Sequence, residues 1–309
     1  MPPRHFLDVD QLDSASLRRL LDMAHAMKRG GRRGPAMVRP KALEGATLLM
    51  IFEKPSMRTR VSFDLGMRQL GGEALFLSGQ EIMVGKRESI EDTARVLSRY
   101  GDIILLRTVD HGTLLELARH ASVPVINGLT NHSHPCQIIA DLQTVEEAVG
   151  PIETAKVAWV GDCNNVATSW IHAAVRLGFE LRIASPPSLQ PHPDLAAWMT
   201  REGGRVTVSA DPVAAVEGAT CVIADTWVSI GDTDVERRME LLGPYRVDEA
   251  LMARAAGNAV FLHCLPAYRG NEVTAGVIDG PQSVVFDEAE NRLHAQKAIL
   301  AWCLGVESV

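Results

Sequence analysis

Ser56-Met-Arg-Thr-Arg60 puts a capping hydroxyl, two guanidiniums and a second hydroxyl side by side, directly after the apolar run Leu48 to Phe52. A helical pattern follows and lasts until Gly71-Gly72. The first N–H groups of a helix have no internal partners, so such a turn can hold a phosphate or a carboxylate. Taken alone, the segment reads equally well as a capped helix whose arginines face solvent. Further polar clusters follow: Arg107, His134-Pro-Cys-Gln137, Gly161-Asp-Cys-Asn-Asn165, Asp225-Thr-Trp-Val-Ser-Ile-Gly231 and His263-Cys-Leu-Pro266. Arg58 and Arg107 are charge-assisted donors, and His134 and Gln137 can bond a neutral carbonyl or amide. That set suits a phosphorylated, carbonyl-bearing ligand. Asn165, Asp225 and Ser229 combine a carboxylate with amide and hydroxyl partners, which suits the ammonium and carboxylate ends of an amino acid. Singly, each signal has an ordinary reading: His134 as a core histidine, Asp225 as a strand-end cap, Gly161 to Asn165 as a Rossmann-like turn. That turn is not Gly-x-Gly-x-x-Gly, which disfavours a dinucleotide.

The elements that must position these residues alternate as short apolar runs and longer helical patterns, the mark of parallel sheets covered by helices. Leu48 to Phe52, Ala74 to Leu77, Asp102 to Arg107 and Val123 to Asn127 are strand candidates in a first α/β unit, with helices over Ile90 to Tyr100 and Gly112 to His120. Val157 to Gly161, Leu181 to Ala184, Ala219 to Asp225 and Ala259 to His263 are strand candidates in a second, with a helix over Asn164 to Leu177. Two doubly wound parallel-sheet domains are therefore expected, over residues 1–148 and 149–287, with 288–309 a closing helix that returns to the first. The boundary lies near Gly150-Pro151, and the helical pattern from Pro135 to Val149 bridges it. Ligands of such sheets bind outside the carboxyl ends of the strands, where the strand order switches. All the clusters named above lie at strand ends, so one crevice is expected per unit, with the active site between the domains.

Composition sets the outer limits. A chain of 309 residues, 46% hydrophobic and 22% charged, is an ordinary globular mixture of about two domains. A formal charge of -7 argues against nucleic acid and leaves anion recognition to locally placed arginines. No apolar stretch approaches ~18 residues and no signal pattern opens the chain, so neither a membrane span nor export is expected and the cytoplasm is the default. Five cysteines, at 136, 163, 221, 264 and 303, form neither a Cys-x-x-Cys pair nor a disulfide framework and read as reduced thiols.

In order from about Arg4 to Trp302, these motifs resemble those of the ornithine carbamoyltransferases. Ser56-Met-Arg-Thr-Arg60 and His134-Pro-Cys-Gln137 resemble the two motifs shared by all transcarbamoylases. Asp225 to Gly231 and His263 to Pro266 resemble the segments that distinguish the ornithine branch from the aspartate branch. The resemblance implies transfer of a carbamoyl group from carbamoyl phosphate to the δ-amine of L-ornithine, giving L-citrulline and phosphate in arginine biosynthesis, without metal or organic cofactor. It implies that Ser56, Met57, Arg58, Thr59, Arg107, His134, Gln137, Cys264, Leu265 and Arg292 bind carbamoyl phosphate, and that Asn165, Asp225, Ser229 and Ile230 bind ornithine. Arg58, His134, Cys264 and Arg292 are the catalytic set. It also implies a homotrimer in which the loop Gln80 to Glu88 completes a neighbouring site.

The chain departs from the family pattern in that loop, where Met83 stands for a glutamine and Lys86 or Arg87 is the alternative donor. Ile230 stands for the methionine of Ser-Met-Gly, and Tyr268 for a histidine. Two other readings remain open: a transcarbamoylase for a different amine, and a non-catalytic carbamoyl phosphate-binding paralogue.

Overall fold

The computed structural model describes residues 2–29, 42–228 and 234–306, which divide into two compact units. One comprises residues 1–140 and 290–309, the other residues 141–289.

The first unit opens with α1 (Ser14–Arg29) and builds a parallel sheet from β1 (Thr47–Phe52), β2 (Glu73–Ser78), β3 (Ile103–Arg107) and β4 (Val125–Leu129). The intervening helices are α2 (Met57–Gln69), α3 (Gly79–Ile82), α4 (Ile90–Leu97) and α5 (His111–His120). Strand order is β2-β1-β3-β4. The inner strands β1 and β3 are apolar on both faces because helices cover both. Leu49, Ile51, Ile104 and Leu106 on one side pack with Leu114 and Leu117 of α5. Burial of each such side chain contributes about 1.5–3 kcal/mol. Ser56, Ser78, Ser89 and Asp110 cap α2, α3, α4 and α5 with side-chain oxygens. Phe52 pairs with Arg107. The carboxyl ends of β1 and β3, where the strand order switches, therefore lie side by side.

The chain leaves this unit through α6 (Pro135–Val149), whose first residue is a proline, suited to a position that needs no N–H partner. The second unit contains β5 (Lys156–Val160), α7 (Asn165–Leu177), β6 (Glu180–Ala184), α8 (Pro193–Glu202), β7 (Val206–Ser209), α9 (Pro212–Val216) and β8 (Cys221–Ile223). It continues through α10 (Val235–Leu242), α11 (Glu249–Met252), β9 (Val260–Leu262) and α12 (Ala275–Ile278). Its parallel sheet runs β7-β6-β5-β8-β9, with the switch between β5 and β8. Ala158, Val160, Val222 and Phe261 pack on one face against Val216, Tyr245, Leu251 and Val277.

The last helix, α13 (Val285–Cys303), brings the chain back to the first unit. A Cβ on Gly66 of α2 would lie 3.3 Å from Lys297 Cγ and 3.8 Å from Leu293 Cδ1, so glycine lets α2 and α13 approach closely. At the far end of α13, Trp302 meets Phe6 edge-on at 6.3 Å and accepts at its carbonyl from Arg4.

Differences from the sequence expectation have local causes. β4 begins at Val125 rather than Val123 because Pro124 has no N–H to give the ladder. β7 is a part-exposed edge strand without a fully buried residue, and its weak apolar pattern gives no strand signal. α13 starts at Val285, ahead of the expected 288. Among the described residues no helix is long and apolar enough to cross a membrane.

Candidate active site

In the first unit the turn between β1 and α2 supplies the anchor. Ser56 sits in extended backbone as the N-cap of α2, and its Oγ accepts from the Thr59 N–H at 3.3 Å and donates to Thr59 Oγ1 at 3.0 Å. Thr59 is buried, Arg58 is half-buried and the Met57 side chain is 72% exposed, leaving Met57 its backbone N–H as the useful group. Arg107, ending β3, donates from Nη1 to the Gly128 carbonyl at 3.3 Å. Arg292 of α13 is buried; it donates from Nη1 to Gln137 Oε1 and from Nη2 to Thr59 Oγ1 at 3.3 Å. His134, at the entrance of α6, is almost fully buried. Burial, then the guanidiniums of Arg292, Arg107 and Arg58, holds its imidazole well below the usual histidine range. The ring is therefore neutral at neutral pH, a hydrogen-bonding group beside three cations. Ser56, Thr59, Arg58, Arg107, His134, Gln137 and Arg292 thus belong to one unit, and the arrangement can hold a phosphate while donating to a neighbouring oxygen.

In the second unit the centre is Asp225, just past β8. Its Oδ2 accepts from Asn164 Nδ2 at 2.7 Å, and its Oδ1 accepts from the Thr226 N–H at 2.8 Å and from the Cys264 thiol at 3.2 Å. Burial, then the carboxylates of Asp225, Glu288 and Asp141, pushes the Cys264 thiol well above its ordinary value. It is a thiol donor at neutral pH, without the thiolate character a nucleophile needs. Asp225, His263 and Cys264 bring one ligand atom each within 4.8 Å of one another, the reach of a small cation, and the thiol-to-carboxylate hydrogen bond already occupies two of the three side chains.

The loop after β9 is held from beneath. Leu265 has φ +57, a left-handed conformation that costs a leucine roughly 1–3 kcal/mol. Its N–H donates to His263 Nδ1 at 2.9 Å, so the ring proton sits on Nε2, 3.5 Å from Glu272 Oε1. Glu272 also accepts from the Tyr268 N–H, and Glu288 accepts from the His263 N–H at 2.9 Å. His263, Glu272 and Glu288 are all buried. Neither glutamate was legible as a site residue, since each lies well downstream of the motif it supports. Asn164, not singled out from the sequence, bonds Asp225 as the N-cap of α7, while Asn165 opens the helix. The signal was present, because an asparagine ahead of an apolar helical run is a preferred cap. Ser229 and Ile230 lie outside the described residues.

Two family models match the chain: the carbamoyl-P binding domain of aspartate/ornithine carbamoyltransferase over residues 4–147, and its Asp/Orn binding domain over residues 153–303. The chain is 58% identical over 303 residues to a protein of Nitrobacter winogradskyi named ornithine carbamoyltransferase, covering 98% of each chain. It is 55% identical over 304 residues to a protein of that name from Agrobacterium fabrum, covering 98% of this chain and 99% of the relative. The solved ornithine carbamoyltransferase of Pyrococcus furiosus superposes with a TM-score of 0.91 at 44% identity, over 97% of this chain and 96% of that one. That of Burkholderia thailandensis gives 0.90 at 43%, over 99% and 100%. With both sheets, both families of motif and nearly every residue accounted for by such relatives, the chain belongs to the aspartate/ornithine carbamoyltransferase family.

Proposed function

We propose that the chain transfers the carbamoyl group of carbamoyl phosphate to the δ-amine of L-ornithine, forming L-citrulline and phosphate. The observation that carries this reading is a neutral, buried His134 flanked by Arg58, Arg107 and Arg292. Phosphate sits on the first N–H groups of α2, with Ser56, Met57 (through its backbone), Thr59, Arg58 and Arg107 as donors. The carbamoyl oxygen, where negative charge develops on attack, takes hydrogen bonds from Arg58, Thr59 and the neutral His134 ring. Gln137 accepts from the carbamoyl NH2 through its carbonyl oxygen, which Arg292 bonds on another lone pair, and Arg292 fixes both Gln137 and Thr59. Asp225 takes the α-ammonium of ornithine, with Asn165, Ser229 and Ile230 on the rest of the amino-acid end.

The reacting amine has an ordinary pKa near that of lysine, ~10.4, so the enzyme must select its neutral form. Cys264, a thiol bonded to Asp225, and the backbone of Leu265 are offered to the amino-acid substrate as polar contacts. The carbamoyl group passes directly to the amine, with no covalent cysteine intermediate, and much of the rate comes from aligning two substrates. The same reading places the enzyme in arginine biosynthesis in the cytoplasm. It also makes it a homotrimer: Met57, Val61 and Leu65, spaced by four along α2, expose 72%, 49% and 44% of their surface, and Leu75 of the edge strand β2 is exposed too. A second copy is a natural cover for that stripe.

The test measures phosphate release and ureido-product formation with ornithine beside N-acetylornithine, putrescine, lysine and aspartate. A strong preference for ornithine is expected. Preference for another amine would reassign the acceptor pocket, where Tyr268 is 51% exposed. No turnover with any amine, in folded protein, would overturn the reading in favour of a non-catalytic carbamoyl phosphate binder.

A further inference from the structure

Asn127, in β4, is completely buried, and its hydrogen bonds converge on the anion half-site from behind. Its carboxamide donates to the Leu7 carbonyl at 2.9 Å and to Ser133 Oγ at 3.2 Å, and accepts from the Leu129 N–H at 2.9 Å. Its backbone N–H donates to the Phe6 carbonyl at 2.9 Å, and its carbonyl accepts from the Cys136 thiol at 3.2 Å. Asn127 thus ties the Phe6-Leu7 segment, the end of β4 and the residue just before His134.

The end of β4 is unusual. The register with β3 slips between Leu106 and Arg107, so Arg107 pairs with Leu129, and Leu129 sits at φ +145, a conformation that leucine rarely adopts. Such slips re-aim side chains beside active sites, and backbone this strained persists only where its surroundings over-determine it. Here the determinants are visible. Asn127 holds the Leu129 N–H, the Thr108 N–H donates to the Leu129 carbonyl at 3.1 Å, and Arg107 donates to the Gly128 carbonyl. A Cβ on Gly128 would lie 2.9 Å from Leu105 Cδ2 and 3.2 Å from Arg107 Cβ, so the bulge packs directly against the strand that aims Arg107.

We propose that Asn127 is a positioning residue for carbamoyl phosphate, acting through the Gly128-Leu129 bulge on Arg107 and through Ser133 on His134. Asn127 touches neither substrate. The proposal rests on the carbamoyl phosphate reading of this half-site.

The experiment compares wild type, Asn127→Ala and Ser133→Ala, the latter losing only one of the bonds. It measures the Kd of inorganic phosphate by calorimetry, kcat, both KM values and Tm, at a temperature where each variant is folded. Asn127→Ala is expected to weaken phosphate and raise the KM for carbamoyl phosphate about tenfold, with Ser133→Ala shifted about threefold the same way. The KM for ornithine should stay within about twofold in both. A lowered Tm with wild-type phosphate affinity and KM values would overturn the proposal, leaving Asn127 a purely structural bond. Equal losses for both substrates would also overturn it. Should Asn127→Ala fail to fold, Ser133→Ala decides alone. A wild type that binds phosphate but turns over no amine sinks the proposed function and leaves this inference to be decided by the phosphate titration; a wild type that binds no phosphate sinks both.

Discussion

Three guanidiniums around one imidazole set the behaviour of the first half-site. Arg58→Ala removes a charge-assisted donor to phosphate and carbonyl and is expected to lower kcat/KM for carbamoyl phosphate by at least ~10²-fold. Cys303→Ser, at a buried thiol that is given no role in binding or chemistry, should leave it near wild type, and steady-state kinetics of the two variants check the contrast. His134 makes a pH-dependent prediction. Its folded pKa lies well below the ordinary value near 6.5, so as pH falls below about 6.5 the unfolded chain takes up a proton that the folded chain refuses. Stability is lost on acidification through that range, and the contribution is complete above about pH 7.5. His5, also lowered by burial, acts in the same sense. Urea unfolding of His134→Gln should show a flatter pH slope than wild type between about pH 5 and pH 7. Parallel slopes would mean that the imidazole takes up its proton alike in the folded and unfolded chains.

Elements deliver these residues with little slack, and Gly79, at the start of α3, is an example set wholly against backbone. A Cβ there would meet Glu53 Cα at 2.7 Å, the Phe52 carbonyl oxygen at 2.8 Å and Glu53 N at 2.9 Å, all backbone atoms that cannot step aside alone. Gly79→Ala must move the end of β1, from which the anion turn springs. It should cost about 1–3 kcal/mol in urea unfolding and weaken phosphate binding, and an unchanged midpoint would show that the strand end yields freely. Much at this scale could be read from the chain. β1 and β3 are unbroken apolar runs, and Ser56 announces α2 by its position. What the sequence left hidden was contact across distance. Arg292 reaches Thr59 over 233 positions, and Glu272 and Glu288 sit under a loop whose motif ends at Pro266. The strained bulge at Leu129 had no signal either, because leucine is a residue that ordinarily avoids that conformation.

At the scale of the whole molecule, the exposed stripe on α2 carries the prediction. In the proposed trimer Val61→Asp puts a charge in an apolar interface, which should shift the sedimenting species from about three times the chain mass toward the monomer. A wild-type protein that sediments as a monomer would remove the trimer from the reading. The order in which the first unit is assembled has a consequence for synthesis. Residues 141–289 interrupt it, and its last helix carries Arg292. On the ribosome, β1 to β4 emerge early and must wait through the whole of the inserted unit before α13 arrives to cover α2 and supply the third guanidinium. A nascent chain therefore exposes the apolar surface that later meets α13 and lacks part of its anion grip for most of its translation. Chaperone contact should concentrate in that interval, and the capacity to hold phosphate should appear late and abruptly rather than grow with chain length.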